Sequence, residues 1–365
     1  MKLLFVTQVL DRDDAVLGFV MRWVQGLAGQ VESLRVLALE VGNVEGLPGN
    51  VDVREIGRRG YVRRFLRYRR YLRESFRSGP NGGFDGLLTH MVPRYSTLAA
   101  GPAAKAMGGK GAAHFLWYTH KGVDRRLLSA LEVVDGAFTA SDLSLRVDTP
   151  KKIVTGHGID LDHFDVPPVG EFEDGRIQLL SVGRLTPAKD PLTTLEAVSH
   201  LRDEGLDVRL TWAGSPLARG DDDYEAMVHR AVSGRDLDGV VEFVGAVPYP
   251  RIPQMFGAAD LFVNASRTGS VDKVVLESMA ARRPFVSCNE SIPPVLAADS
   301  ELATRAGDYA FQSGDSISLA SALRVWIDRS ADDRRASGER LREIVARHHE
   351  VDALMARIVR RMEER

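Results

Sequence analysis

Short apolar runs alternate with stretches of helical periodicity along nearly the whole chain. In the first half the runs are KLLFVT, LRVLAL, GLLTHM, AHFLWYTH, GAFTAS and KIVTG; in the second they are IQLLSVG, VRLTWAG, VEFVGAV, LFVNAS and PFVSC. Each is short enough to predict a strand. Between them, segments such as PLTTLEAVSHLRDE and YEAMVHRAVS read as helices. Alternating strands and helices imply an α/β chain whose parallel sheets are covered on both faces. Two such series predict two doubly wound, Rossmann-like domains, with ligands bound beyond the carboxyl ends of the strands.

The series are separated by DVPPVGEFEDG, residues 165–175, which is rich in Pro, Gly and acids and lacks periodicity. That places the boundary near residue 168, with one domain over 1–168 and the other over 169–349. The last stretch, VDALMARIVRRMEER, predicts an amphipathic helix. Residues 350–365 then either end the second domain or cross back onto the first. A length of 365 residues suits two domains.

Composition adds modest constraints. The formal net charge is −2, but residues 1–165 hold 23 Lys and Arg against 18 Asp and Glu, and the remainder 25 against 32. A cleft between two such halves tolerates an anionic ligand. Cys288 is the only cysteine, so no disulfide forms within the chain. The opening MKLLFVTQVLDRDD has too short an apolar run for a signal peptide. No run approaches the roughly 18 apolar residues of a membrane span. The expectation is a soluble cytoplasmic protein.

Two strand–turn–helix joints carry candidate chemistry. In LLSVGRLTPAKDPLTTL a strand ends at Gly183, the loop holds Arg184 and Lys189, and a helix starts near Asp190, a good N-cap, with Pro191 suited to its first turn. Two cations ahead of a helix N-terminus suit a diphosphate, although two solvated surface cations would read the same way. In DLFVNASRTGSVDKVVLESMAARRP, Gly269 permits a tight turn and Glu277 sits inside the following helix. A carboxylate there can accept hydrogen bonds from a diol such as ribose, or can pair with Arg282 or Arg283.

The order SVGRLTPAKD, FVGAVPYPRIPQMFGAADLFVNAS, DKVVLESMAARRPFVS resembles the donor-binding domain of glycosyltransferase family 4. In the first half THM, WYTHK, FTAS and VTGHGIDLDHF follow that family's order too. The resemblance implies a GT-B fold, two Rossmann-like domains facing across a cleft, and sugar transfer from a nucleotide-sugar to a hydroxyl acceptor with retained configuration. It implies that Arg184 and Lys189 grip the diphosphate and that Glu277 holds the ribose hydroxyls. Backbone N–H groups from Val271 to Val274 would face phosphate and sugar, and Val247 would border the base. His120 would lie near the transferring sugar as a third catalytic residue, with Asp14, His90 and Lys121 on the acceptor side. No cofactor and no metal are implied.

The family usually has a second Glu eight positions before the ribose Glu. Here that position is Gly269, which leaves Asp272 or Lys273 as candidates for its contact with the sugar. The loop after the first strand, TQVLDRDDAVLGF, also lacks the family's glycines. Asp11, Asp13 and Asp14 lack the spacing of a metal loop and read as solvated or acceptor-facing acids. His90 and His157 are equally consistent with structural hydrogen bonds.

The segment RRGYVRRFLRYRRYLRESFR, residues 58–77, is the most basic in the chain. It reads as an ordinary domain helix with a solvated arginine face, or as a basic amphipathic helix on an anionic membrane at the inner face of the cell envelope. Nucleic acid is not an expected partner. The expected partners are a nucleotide-sugar and a hydroxyl acceptor, which the membrane reading would make lipid-linked. The expected function is retaining sugar transfer in glycan, polysaccharide or glycolipid synthesis. A nucleotide-sugar epimerase of the same fold and an inactive nucleotide-sugar-binding partner subunit are the alternatives.

Overall fold

The computed structural model describes residues 1–77, 83–105, 111–215, 222–267 and 269–365, so Thr268 in the second joint lies outside the described residues. The chain divides into two units, Met1–Gly158 with Glu350–Arg365, and Ile159–His349. The first unit holds β1 Lys2–Leu10, β2 Ser33–Val41, β3 Val51–Glu55, β4 Gly86–His90, β5 Ala113–Trp117, β6 Gly136–Thr139 and β7 Lys152–Val154. Its sheet runs in the order β3-β2-β1-β4-β5-β6-β7. The second unit holds β8 Ile177–Val182, β9 Val208–Ala213, β10 Val241–Gly245, β11 Leu261–Asn264 and β12 Phe285–Ser287, in the order β10-β9-β8-β11-β12. All pairings within the two sheets are parallel.

The central strands are apolar because both faces are covered: Leu3, Leu4, Phe5 and Val6 of β1 are fully buried, and Leu179 and Leu180 of β8 nearly so. In each sheet the winding direction reverses once, between β1 and β4 in the first unit and between β8 and β11 in the second. Crevices for ligands open at such points.

Each expected apolar run carries a strand. One strand, β3, was not expected. Its sequence VDVRE alternates valine with charge and lies at the sheet edge, where Asp52 takes a 2.7 Å hydrogen bond from Arg35 on β2. The domain boundary also differs from expectation. The units divide after Gly158, not near 168. Residues 159–169 lack periodicity yet belong to the second core, since Ile159 and Phe164 are fully buried there. Arginines hold the rest of the segment: Arg282 Nη1 donates to Asp165 at 2.9 Å and Arg283 Nη2 to the Pro167 carbonyl at 2.6 Å.

The helix Val351–Glu363 belongs to the first unit. It buries Leu354, Met355, Ile358 and Met362. Arg22 grips Asp352 through both nitrogens at 2.8 and 2.5 Å, and Arg357 Nη2 donates to the Thr155 carbonyl at 2.8 Å. The basic helix spans Tyr61–Phe76. Tyr68, Leu72 and Phe76 face the core, while Val62 and Leu66 are exposed.

Candidate functional site

The loops leaving β8, β11 and β12 converge at the switch point of the second unit. Lys189 Nζ reaches Asp272 Oδ2 at 2.9 Å and Ser266 Oγ at 3.2 Å. Asn264, the last residue of β11, donates to the same Asp272 oxygen at 3.1 Å, and Ser287 at the end of β12 donates to Asn264 Oδ1 at 2.9 Å. Asn289 extends the network by donating to the Ser270 carbonyl at 2.7 Å. Burial opposes the charged form of Asp272, but Lys189 and the hydrogen bonds from Ser266 and Asn264 outweigh it and hold the carboxyl below its ordinary range. The pair is therefore ionised and largely screened from water, with side-chain exposures of 16% and 13%.

Asp272 occupies the N-cap position of the helix Lys273–Ala280 without a side-chain cap bond, because Lys189 claims its carboxylate. Asp190 likewise precedes its helix without capping it. It sits at φ +48°, and its carboxylate accepts from Thr193 Oγ1 at 2.8 Å and pairs with Arg267. Gly269, where the resemblance implies Glu, adopts φ +67°, a left-handed conformation that favours glycine. The departure at this position thus involves the backbone as well as the side chain. Gly214 permits another close approach, since a Cβ there would stand 2.0 Å from the Gly183 carbonyl oxygen.

Glu277 lies in the second turn of its helix and is 6% exposed. It pairs with Lys273, whose Nζ also reaches Tyr249 OH at 3.2 Å and sits 4.8 Å above the Tyr249 ring. His163 stacks on the same ring at 4.9 Å. Burial lowers the Lys273 pKa against the pull of Glu277, and burial with the Glu277 charge lifts the Tyr249 hydroxyl far above its usual value. Neither Arg282 nor Arg283 is the partner of Glu277, since both anchor the 159–169 segment.

Arg184 is exposed and has no side-chain partner among the described residues. Val247 is buried in the loop after β10, and Val274 is half-buried in the first turn after Asp272. The second unit thus brings Lys189, Asp272, Lys273 and Glu277 into two adjoining ion pairs beside the β8 and β11 exits.

The first-unit candidates do not form a comparable group. His120 lies three residues beyond β5, not at the strand end as expected, because β5 stops at Trp117. It is exposed, and its Nδ1 accepts the Gly122 N–H at 2.9 Å, so a neutral ring carries its proton on Nε2. Lys121 beside it is exposed. His90 is buried against Phe5, Phe19 and Trp23, with Nδ1 3.1 Å from Thr7 Oγ1; burial pulls its pKa down to about 4. It sits among core side chains and is 2% exposed. Asp14 accepts the Val16 and Leu17 N–H groups at 2.9 and 2.6 Å, closing a turn.

Sequence reasoning missed Asn264, Ser266, Ser287 and Asn289, which join the three loops, and the Tyr249–His163 stack. A signal was present in LFVNAS and FVSCN, where polar residues abruptly end apolar strands on the side that binds ligands.

With this geometry, the fold places the chain among GT-B-like proteins of two parallel-sheet α/β domains. HepE of Anabaena, solved with UDP, superposes with a TM-score of 0.77 at 15% identity and full coverage of both chains. Sucrose-phosphate synthase of Thermosynechococcus elongatus superposes with a TM-score of 0.74 at 14% identity, covering 100% of this chain and 99% of that one. Residues 176–329, which include the switch point, match the family described as Glycosyl transferases group 1. Among curated relatives, WcaL of Escherichia coli (strain K12), named for colanic acid biosynthesis, is 27% identical over 203 residues, 53% of this chain and 47% of WcaL. D-inositol 3-phosphate glycosyltransferase of Arthrobacter sp. (strain FB24) is 27% identical over 186 residues, 45% of this chain and 42% of that protein. The matched stretch therefore spans about half the length of these relatives or less.

Proposed function

We propose that the protein is a retaining glycosyltransferase of family 4 that moves a sugar from a nucleotide-sugar to a hydroxyl acceptor in glycan, polysaccharide or glycolipid synthesis. The observation that carries this reading is the pair of lysine–carboxylate contacts at the switch point, inside the segment that matches the group 1 family. A diphosphate entering there competes with Asp272 for Lys189 and meets the exposed Arg184 guanidinium. Charge-assisted hydrogen bonds from both would stabilise the leaving diphosphate. Glu277 would accept from ribose, Asp272 or Lys273 would meet the sugar, and Val247 would border the base. By the resemblance, His120 would serve the transferring sugar.

One observation favours a second reading, an inactive nucleotide-sugar-binding subunit: both lysines are already neutralised, and Gly269 replaces the expected Glu. Calorimetric titration with uridine, guanosine and adenosine diphosphates and their glucose esters, followed by an acceptor panel, separates the readings. Arg184→Ala and Glu277→Gln should each weaken the preferred nucleotide at least about tenfold, as loss of a charge-assisted hydrogen bond of ~1.5–3 kcal/mol requires. Unchanged affinity in both variants would sink the site. Binding without turnover would select the inactive subunit, and product formed without acceptor an epimerase.

A further inference from the structure

The first unit has a strand-end pocket of its own, about 170 Å³ in volume, beside the ends of β1 and β2 and the segment after β4. Part of its lining is cationic. Arg64 and Arg94 line it together with Tyr61. Arg94 Nη2 donates to Tyr61 OH at 2.6 Å, and the two guanidinium carbons lie 5.5 Å (Arg94) and 5.7 Å (Arg64) from the Tyr61 ring centroid. Neither arginine pairs with a carboxylate among the described residues. Their neighbours do: Arg58 pairs with Glu40 and Arg70 with Glu74. Two guanidinium groups beside one ring, neither neutralised by a carboxylate among the described residues, keep N–H donors that a divalent anion can accept.

The rest of its lining includes apolar side chains. Leu39, Ile56 and Phe65 line it, and exposed Val62 and Leu66 continue the apolar surface along the basic helix. The volume is well below the ~300–1,000 Å³ of pockets that enclose a drug-sized ligand, so this one receives only the end of a larger molecule. We propose that it binds the phosphate-bearing end of an amphiphile, with the phosphomonoester against the Arg64 and Arg94 guanidinium groups and the first apolar carbons against Leu39, Ile56 and Phe65. As a binding site it stands alone; as the place where an acceptor is held it rests on the transferase reading.

The test is calorimetry on the full chain with octyl phosphate below its micellar concentration, inorganic phosphate and octanol. Octyl phosphate should bind at least about tenfold more tightly than either of the others, because only it satisfies both the arginines and the apolar lining. Arg64→Gln and Arg94→Gln should each lower that affinity severalfold, Arg94→Lys less, and nucleotide diphosphate affinity should not change. Equal binding of octanol, equal binding of inorganic phosphate, or indifference to both Gln variants would overturn the proposal. So would association with anionic vesicles without binding of monomeric octyl phosphate, which would mark a lipid surface contact instead. A chain that binds octyl phosphate but no nucleotide keeps this site and loses the donor site; the reverse result does the opposite.

Discussion

The two switch points share a topology and differ in how they handle charge. In the second unit, Lys189 meets Asp272, Lys273 meets Glu277, and Asn264, Ser266 and Ser287 fix the first pair from below. In the first, Arg64 and Arg94 lie over the Tyr61 ring without a carboxylate partner among the described residues. A compensated site keeps its geometry before a ligand arrives, and the ligand must displace a carboxylate. An uncompensated site stays solvated and takes an anion directly. The same winding rule therefore yields a charge-compensated cluster in one unit and, among the described residues, an uncompensated one in the other.

The largest test of this contrast is acid. The first unit buries His90 and His114 as neutral rings: burial lowers both pKa values from 6.5 to about 4, with Arg365 and Lys151 adding to the effect at His114. Between those values the unfolded chain binds more protons than the folded one, so stability falls as pH drops from about 6.5 towards 4. The loss is about 3 kcal/mol for each ring. In the second unit the lowered pKa of Asp272 keeps its contribution intact until pH falls below the ordinary carboxylate value of 3.8. His163 is shifted down by burial there as well, but it is less buried than His90 and His114. Hydrogen exchange at pH 4.5 should open peptides around Trp23 and Trp117 before those around Trp212 and Trp326. The opposite order would contradict the contrast.

Next in size is the buried ion pair. Lys189→Met leaves Asp272 charged without its partner and should cost about 3–5 kcal/mol, whereas Lys189→Met combined with Asp272→Leu should recover most of that loss. Urea denaturation of the two single variants and the double variant measures the coupling. Additive losses would mean that the pair does not organise the site.

The smallest effect concerns Gly269. At φ +67°, Gly269→Ala should cost about 1–2 kcal/mol, and Gly269→Glu a similar amount. If Gly269→Glu left the melting temperature unchanged, the loop would tolerate the residue that the resemblance implies, and the departure would lie in the side chain alone.

Most of the fold was legible because it depends on burial. β1 and β8 are central strands covered on both faces, so their sequences are continuous apolar runs. β3 escaped because an edge strand needs apolar residues only where it is covered, and VDVRE meets that requirement with two valines. The boundary escaped because the 159–169 segment is anchored by Arg282 and Arg283, more than a hundred residues away in sequence. In the site, Lys189 and Glu277 were legible as residue types at strand ends. Their present partners were not, because pairing across loops depends on distances that no local pattern encodes. His120 was displaced from its expected place because the apolar run continues through Tyr118 while the strand itself ends at Trp117.

The closing helix has a consequence for how the polypeptide is made. The second unit is an insertion: Ile159 and His349, its first and last residues, are joined by a 2.8 Å backbone hydrogen bond between the Ile159 N–H and the His349 carbonyl. Its two ends are therefore adjacent, the arrangement under which an inserted domain can fold by itself. The surrounding unit is in the opposite situation. Gly26 is packed so closely against Met355 that a Cβ on it would stand 2.9 Å from the Met355 Cγ, so the surface left by residues 1–158 is shaped for a helix synthesised only after the insert. During synthesis the chain therefore carries an unfinished amino-terminal half while its insert is complete. Stop codons or proteolysis within residues 351–365 would damage the unit whose synthesis begins before the insert.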